Sequence, residues 1–411
     1  VYLMFGWFRF RYATYLLVYW FVKLVELLYT TCVRKRWTSG KVEIRSIIWR
    51  QKGYEGDFGR EHDFITLPCR LVDLQEVCHP RWSLYLLTSR WVNFVHCSKT
   101  LKDYKAKETP FLVSAQFADA WLLARISLRD FVNMYPNTLP PHSCPVVYMS
   151  NCPRSGTTLT TQVLQESSHR IIAVSEPDIF NHLSYLKSVG SFSPALVESI
   201  LRSTLAHTCL HFDPDEIFVI KPTSNGSLIV PDIKSACPDV KHIFIHRTTM
   251  SQVLASIQRM FLVDNVAQIF LSLRNYPLWF AELWLSYIKF EPYLWSIMPD
   301  ASDSLDISFM YFILPYARFV HQSKVGVHFH EVTYEALVQN PIETSKALLD
   351  YIGTEGDVKR GAAIVGTNDS QAGTVLSQDR LKSVQTDLLT SDKIQLYNRI
   401  CASRLHIPPV L

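Results

Sequence analysis

Seven consecutive residues, Cys152-Pro153-Arg154-Ser155-Gly156-Thr157-Thr158, bring one guanidinium, three hydroxyls and a glycine into a single short stretch. An arginine offers a planar fork matched to an oxyanion, hydroxyls add donors, and a glycine lets the main chain come close to a ligand. This is the chemistry of gripping a phosphate or a sulfate. It is not the nucleotide-triphosphatase loop, which needs an early glycine and a Gly-Lys-Ser/Thr end. Here Asn151 stands where the first glycine would fall and Thr157 follows Gly156 directly, so an ATP-using small-molecule kinase is disfavoured. The plain alternative is a polar turn between two ordinary elements, for which this composition is a costly solution.

Such a loop needs a strand to deliver it and a helix to receive it. Val146-Val147-Tyr148-Met149 is a short apolar, β-prone run, and Leu159-Thr160-Thr161-Gln162-Val163-Leu164 reads as the start of a helix. The first-turn N–H groups and the positive end of the helix dipole would then face the anion. A second strand, Ile171 to Val174, ends in Ser175-Glu176-Pro177-Asp178. Strand carboxyl ends in an open α/β sheet face the ligand crevice, which sets Glu176 beside the transferred group as a candidate general base. The competing reading makes this stretch a helix start with Asp178 as the cap. Further apolar strands, Ile217 to Ile220 and Val240 to Ile245, end in Lys221 and in His246-Arg247. Strands separated by helices, each ending in a candidate ligand-binding residue, predict a mostly parallel three-layer α/β/α sheet.

The run CPRSGTTLTTQVL resembles the 5′-phosphosulfate loop of sulfotransferases that use 3′-phosphoadenosine 5′-phosphosulfate (PAPS) as donor. The resemblance implies a P-loop sulfotransferase-like fold from about Pro145 onward. It also implies transfer of a sulfuryl group to a hydroxyl or amine acceptor: a carbohydrate, a lipid or a small molecule. By that resemblance Arg154, Ser155, Gly156, Thr157 and Thr158 hold the 5′-phosphosulfate, with Arg154 also serving catalysis. Some members of the family similarly carry an acidic base soon after this loop, where Glu176 stands. Lys221 is similar to the lysine of the family's Lys-Thr-His stretch, but Thr223 occupies the position of the catalytic histidine, which strengthens Glu176 as base. Lys221 would steady the leaving oxygen or pair with a carboxylate. Arg247 and a serine of the next helix, Ser256 or else Ser251, match the 3′-phosphate element, with His246 a structural neighbour. Val327 to Pro341 resembles the family's strand and Tyr-Glu-Asp-Leu turn, with Ala336 in place of the Asp. The polar loop Asn368 to Gly373 stands where the family closes over the nucleotide. No metal is implied. The missing histidine keeps a noncatalytic PAPS-binding scaffold as the alternative.

With 411 residues, 48% hydrophobic and 19% charged, the chain can bury one large α/β domain with additions. A net charge of +4 is too small to argue for nucleic acid. The nine cysteines are scattered without metal spacing, and one or two disulfides are compatible with them. His62, His79 and His96 read as ordinary histidines. From Phe261 to Val320 the chain is rich in aromatic residues at helical spacing, mostly core, some of them candidates for an acceptor pocket.

Residues 1–36 form a hydrophobic or amphipathic helix and a candidate membrane anchor. Tyr12 to Cys32 is long enough to span a bilayer, but Lys23 and Glu26 near its middle cost roughly 2.5 to 3.5 kcal/mol each, against roughly 3 to 5 gained from its Leu, Val and Phe residues. Those two charges share a face with Tyr15 and Tyr19, opposite Leu17, Trp20, Phe21, Leu24, Leu27 and Leu28. The helix therefore crosses a membrane, lies in its surface or packs on the domain; Golgi and cytoplasmic locations both stay open. Residues 37–144, with helical spacing over Trp82 to Val95 and Ala118 to Met134, are expected to form a helical prelude to the catalytic domain, 145–411.

Overall fold

The computed structural model describes residues 2–32, 40–52, 58–135, 144–263, 266–277, 292–297, 300–366, 369, 371–372, 374 and 377–410. Its second half is organised by the five-stranded sheet the sequence predicts. The strands are β6 (Val146–Asn151), β7 (Ile171–Ser175), β8 (Ile217–Lys221), β9 (Lys241–His246) and β10 (Phe329–Thr333), in the spatial order β10-β9-β6-β8-β7. Every pair is parallel. β6 lies at the centre, buried along its whole length, which is why it reads as a continuous apolar run. The chain leaves β6 toward β7 and β8 on one side, then crosses to β9 and β10 on the other. The loop after β6 thus stands at the switch point, where a crevice opens beyond the strand ends.

Period-two alternation sends the strand side chains to two different cores. Val147, Met149, Ile171, Ala173, Val219, Ile243 and Ile245 pack with Leu164 of α4 (Thr157–Ser167) and with Leu348, Leu349 and Ile352 of the helix Pro341–Ile352. Val146, Tyr148, Ile172, Val174, Phe218 and Ile220 face the other way, against α5 (Asp178–Ser188), α6 (Pro194–Thr208) and α7 (Val230–Ala236). This is the three-layer α/β/α arrangement. A third core joins α8 (Met250–Val263) to the long helix Ser304–Lys324 and the C-terminal helix Ser391–Ser403.

The helical prelude is corrected. Residues 41–127 carry five antiparallel strands, β1 (Lys41–Arg50), β2 (Phe64–Asp73), β3 (Trp82–Leu87), β4 (Trp91–His96) and β5 (Leu122–Ser127), in the order β2-β1-β5-β4-β3. The helical spacing across Trp82 to Val95 came from a hairpin whose pairing shifts between Leu84 and Leu86, putting an extra residue into the alternation. Ala118 to Met134 divides into the end of a short helix, β5 and the helix Leu128–Met134. One hydrophobic core continues from Phe94 and Ile126 of this sheet into Val174 and Phe218 of the parallel sheet.

The N-terminal helix α1 (Tyr2–Cys32) packs on the antiparallel sheet through Tyr15, Tyr19 and Ile65. Among the described residues no helix is long and apolar enough to cross a membrane. Cys69, Cys78, Cys97, Cys144, Cys152, Cys209, Cys237 and Cys401 are free thiols. In the aromatic stretch, Tyr311 and Phe312 are core while Tyr293 is exposed. Trp279, Trp284, Tyr287 and the side chain of Trp295 lie outside the described residues.

Candidate active site

The loop after β6 turns twice through left-handed backbone, at Arg154 (φ 59°) and at Gly156 (φ 78°). Turns of this hand, flanking Ser155, gather successive N–H groups into a concave anion seat. Ser155 is fully buried and its Oγ donates to the Cys152 carbonyl at 2.7 Å, bracing the turn rather than facing a ligand. Gly156 is the N-cap of α4 and supplies no capping side chain, and the first helical bond runs from the Thr160 N–H to the Gly156 carbonyl at 2.9 Å. The amides of Thr157 and Thr158 precede that bond, so they are first-turn donors with no helical acceptor. They are the groups an anion would take up.

Arg154 does not stand alone. Its Nε donates to Ser256 Oγ of α8 at 3.1 Å, and its Nη1 donates to Gln371 Oε1 in the C-terminal loop. Burial, and then the neighbouring charge of Arg247, bring the Arg154 guanidinium down to about 10, with Asp369 opposing. Arg247 lies 3.7 Å over the ring of Tyr334, and burial lowers its affinity for the proton too. Its Nε is buried with no hydrogen-bond partner among the described residues. Two desolvated guanidinium groups converging on one place, one with an orphaned donor, is the electrostatic signature of a seat for a multiply charged anion.

Tyr334 opens the turn helix Tyr334–Gln339 and binds these parts together. A Cβ at Gly156 would meet its Cδ2 at 2.4 Å, so the ring lies directly on the glycine while Arg247 stacks over that same ring. Glu335 accepts from the Thr249 N–H at 2.9 Å and from the Thr248 N–H at 3.1 Å, just before α8 begins. Burial opposes ionisation, yet these backbone donors hold the Glu335 carboxyl down at about 2. A carboxylate of the chain itself therefore already occupies that helix start.

Glu176 and Lys221 meet at the neighbouring strand ends. Ser175 pairs with Lys221 across β7 and β8, and the Glu176 N–H donates to the Lys221 carbonyl at 2.6 Å. A left-handed turn at Glu176 (φ 58°) folds the chain so that Lys221 Nζ donates to Glu176 Oε1. Lys221 is buried, whereas the Glu176 side chain keeps 22% of its surface exposed and can reach a ligand. The carboxylate pairing weighed for Lys221 is therefore made, and its partner is the candidate base itself. Asn151 Nδ2 donates to the Pro222 carbonyl at 3.1 Å, tying the loop after β6 to the end of β8.

Asp178 is not the helix cap. The helix begins at Asp178 itself, Pro177 occupies the cap position, and Asp178 is buried, accepting from Gly59 N–H and from Asn181 Nδ2 at 2.9 Å. Burial pushes its carboxyl up to about 7 against the pull of the Gly59 N–H and Lys52. Thr223 donates to Asn181 Oδ1 at 2.5 Å.

Of the residues singled out in the sequence, Arg154, Gly156, Arg247 and Ser256 converge, and Glu176 with Lys221 form an adjacent pair. Ser251 is exposed, while Ser256 is the serine that reaches Arg154. His246 contacts Glu331 at 2.6 Å and stacks near Phe244, with Tyr316 tilted beside it. Among the described residues no group of His, Cys, Asp and Glu could hold a metal ion. Asn368 and Gly373 lie outside the described residues. Tyr334 and Gln371 are the participants the sequence did not single out; the Tyr-Glu-Ala-Leu turn located Tyr334 without disclosing what it touches.

No protein-family model and no curated protein matches the chain. Among solved structures, a sulfotransferase domain from the curacin biosynthetic pathway matches 66% of this chain and 99% of its own, at 15% identity and a TM-score of 0.35. A sulfotransferase from Mycobacterium avium matches 68% of this chain and 80% of its own, at 11% identity and a TM-score of 0.34. A mouse sulfotransferase in complex with PAP matches 65% and 78%, at 12% identity and a TM-score of 0.29. Overlap this low aligns no individual side chain, so the reading of the site rests on its own geometry.

Proposed function

We propose that the chain is a PAPS-dependent sulfotransferase acting on a hydroxyl- or amine-bearing small molecule, carbohydrate or lipid. The observation that carries this reading is the convergence of Arg154, Ser256 and Arg247 on the Gly156 turn at the sheet's switch point, beside the Glu176–Lys221 pair. Loop amides and Arg154 neutralise the phosphosulfate, while Arg247 and Ser256 take the ribose 3′-phosphate. Because Arg154 already reaches Ser256, it bridges the two anionic ends of the donor rather than serving the phosphosulfate alone.

The reaction moves one proton and one sulfuryl group. Glu176 accepts the proton of the acceptor as that atom bonds to sulfur, the bond from sulfur to the 5′-phosphate oxygen breaks, and PAP leaves. Protonation discharges Glu176, and Lys221 loses its anionic partner at that moment. Its ammonium then turns to the charge growing on the leaving oxygen. Positioning and charge stabilisation supply most of the acceleration, as in phosphoryl transfer.

A noncatalytic PAPS-binding scaffold is favoured by one observation: the candidate base and the lysine neutralise each other, with Thr223 where a histidine would stand. Sulfur-labelled PAPS offered with a panel of acceptors decides between the two. Glu176→Gln should keep PAP binding and lose transfer by about 100-fold or more. No transfer by the wild type to any acceptor despite tight PAP binding supports the scaffold. Failure of PAP to bind at all refutes both.

A further inference from the structure

α1 is amphipathic with its polar side turned inward. Tyr15 and Tyr19 are buried, and the Tyr15 hydroxyl donates to the His62 carbonyl at 2.8 Å. Lys23 donates to Glu26 at 3.3 Å, and Glu26 accepts two bonds from Arg45 of β1, at 2.6 and 2.9 Å. Arg45 is itself fully buried, with Glu43 at 2.9 Å and Thr66 Oγ1 at 2.8 Å as further partners. Burial opposes the Glu26 charge, but Arg45 prevails and holds that carboxyl at about 2. The two charges that argue against a membrane are thus directed into the protein.

The opposite arc of the helix is bare hydrocarbon. Leu17, Trp20, Phe21, Leu24, Leu27 and Leu28 are each between 54% and 73% exposed, and no charged residue interrupts that arc between Arg11 and Leu28. Trp49 meets Tyr15 edge-on at 5.1 Å and adds a second partly exposed indole beside the helix. Helices of globular proteins bury their apolar stripe; this one presents it. The flanking sequence is cationic: Arg9 and Arg11 precede the bare arc and Arg34, Lys35 and Arg36 follow it, and the only acid in residues 1–42 is the inward-facing Glu26.

We infer that the outward face of α1 is a membrane-docking surface that seats the folded chain flat on an anionic bilayer. An interfacial helix needs one apolar face, a polar face that stays out of the hydrocarbon, and basic residues for acidic headgroups. Here the sheet, rather than water, receives the polar face. Indoles at the rim suit the headgroup level. A second copy of the chain is the poorer occupant, because this face offers no acidic residue to answer the partner's basic flanks.

Flotation of the full chain with vesicles tests this, comparing pure phosphatidylcholine with roughly 30% phosphatidylserine. The chain should float with the anionic vesicles and be released by alkaline carbonate. Phe21→Glu with Leu24→Glu should weaken binding at least about tenfold, and the milder Phe21→Ala with Leu24→Ala should shift it the same way, with unchanged circular dichroism. Leu388→Glu, which alters an exposed leucine elsewhere, should leave binding intact. The proposal is overturned if the wild type stays with the protein fraction, if the α1 variants float as it does, or if carbonate fails to release it, which would mark a spanning segment. A dimer dissolved by the same substitutions would give the face to a second copy and overturn it equally. PAP binding plays no part in any readout, so this result and the proposed activity fail independently.

Discussion

Gly156→Ala perturbs the site at its tightest point, and a second glycine separates the two effects it would have. Gly156 has φ 78° and Gly190 has φ 71°, so alanine at either position adopts a left-handed backbone that costs about 1 to 2 kcal/mol. Nothing lies within 4 Å of a Cβ at Gly190. At Gly156 the new methyl would stand 2.4 Å from Tyr334 Cδ2, where carbon atoms rest about 3.5 to 4 Å apart, so the ring has to retreat by about 1 to 1.5 Å. Arg247 stacks on that ring at 3.7 Å and must move with it. Gly190→Ala should therefore lower stability by about 1 to 2 kcal/mol and leave PAP affinity alone. Gly156→Ala should lose that much or more and weaken PAP at least about tenfold, or about 1.4 kcal/mol. Denaturant unfolding and isothermal titration with PAP measure the two quantities. Equal PAP affinity in wild type and Gly156→Ala would refute the argument that Tyr334 couples the loop to Arg247.

The 3′-phosphate assignment predicts a preference that can be erased: the wild type should bind PAP more tightly than adenosine 5′-phosphate. Arg247→Ala and Ser256→Ala should each weaken PAP while changing adenosine 5′-phosphate less, and an equal loss for both ligands would move these residues away from the 3′ end. Asp178 supplies a pH prediction. Its folded carboxyl titrates at about 7 against an ordinary value of 3.8, so folding takes up a proton and the group's contribution is lost as pH rises from about 4 to about 7. His207 and His242, held by burial at about 3 and about 4, act in the opposite direction over part of that window, so the informative quantity is a difference. Asp178→Asn should gain stability relative to wild type as pH rises through that range, by the order of a few kcal/mol. A pH-independent difference would contradict the buried, proton-binding carboxyl.

Four strands of the parallel sheet, β6 to β9, were legible because each is a short, largely apolar run that ends in a polar or charged residue, and burial on both faces leaves little else for such a run to do; the edge strand β10, polar and partly exposed, was placed by the Tyr-Glu-Ala-Leu turn that follows it. The antiparallel half was not, because an irregular pairing at Leu84 to Leu86 disturbs the alternation that would have announced β3 and β4. The N-terminal helix shows the same division. Its two faces were written in the periodicity of Tyr15, Tyr19, Lys23 and Glu26, but periodicity cannot say which face turns inward. Arg45, nineteen residues beyond Glu26, decided that the polar one does.

At the site, residue types alone were enough to single out the Cys152 to Thr158 turn as the candidate anion seat, because a glycine, hydroxyls and an arginine between a buried strand and a helix suit that chemistry. The sequence also supplied the separate candidates Arg247, Ser256, Glu176 and Lys221. Only tertiary structure decided their company: Arg154 with Ser256, Tyr334 between Gly156 and Arg247, and Glu176 on Lys221. The physical reason is that charge and hydrogen-bonding capacity belong to each residue, whereas desolvation and pairing belong to whichever groups the crossing of β8 to β9 brings side by side.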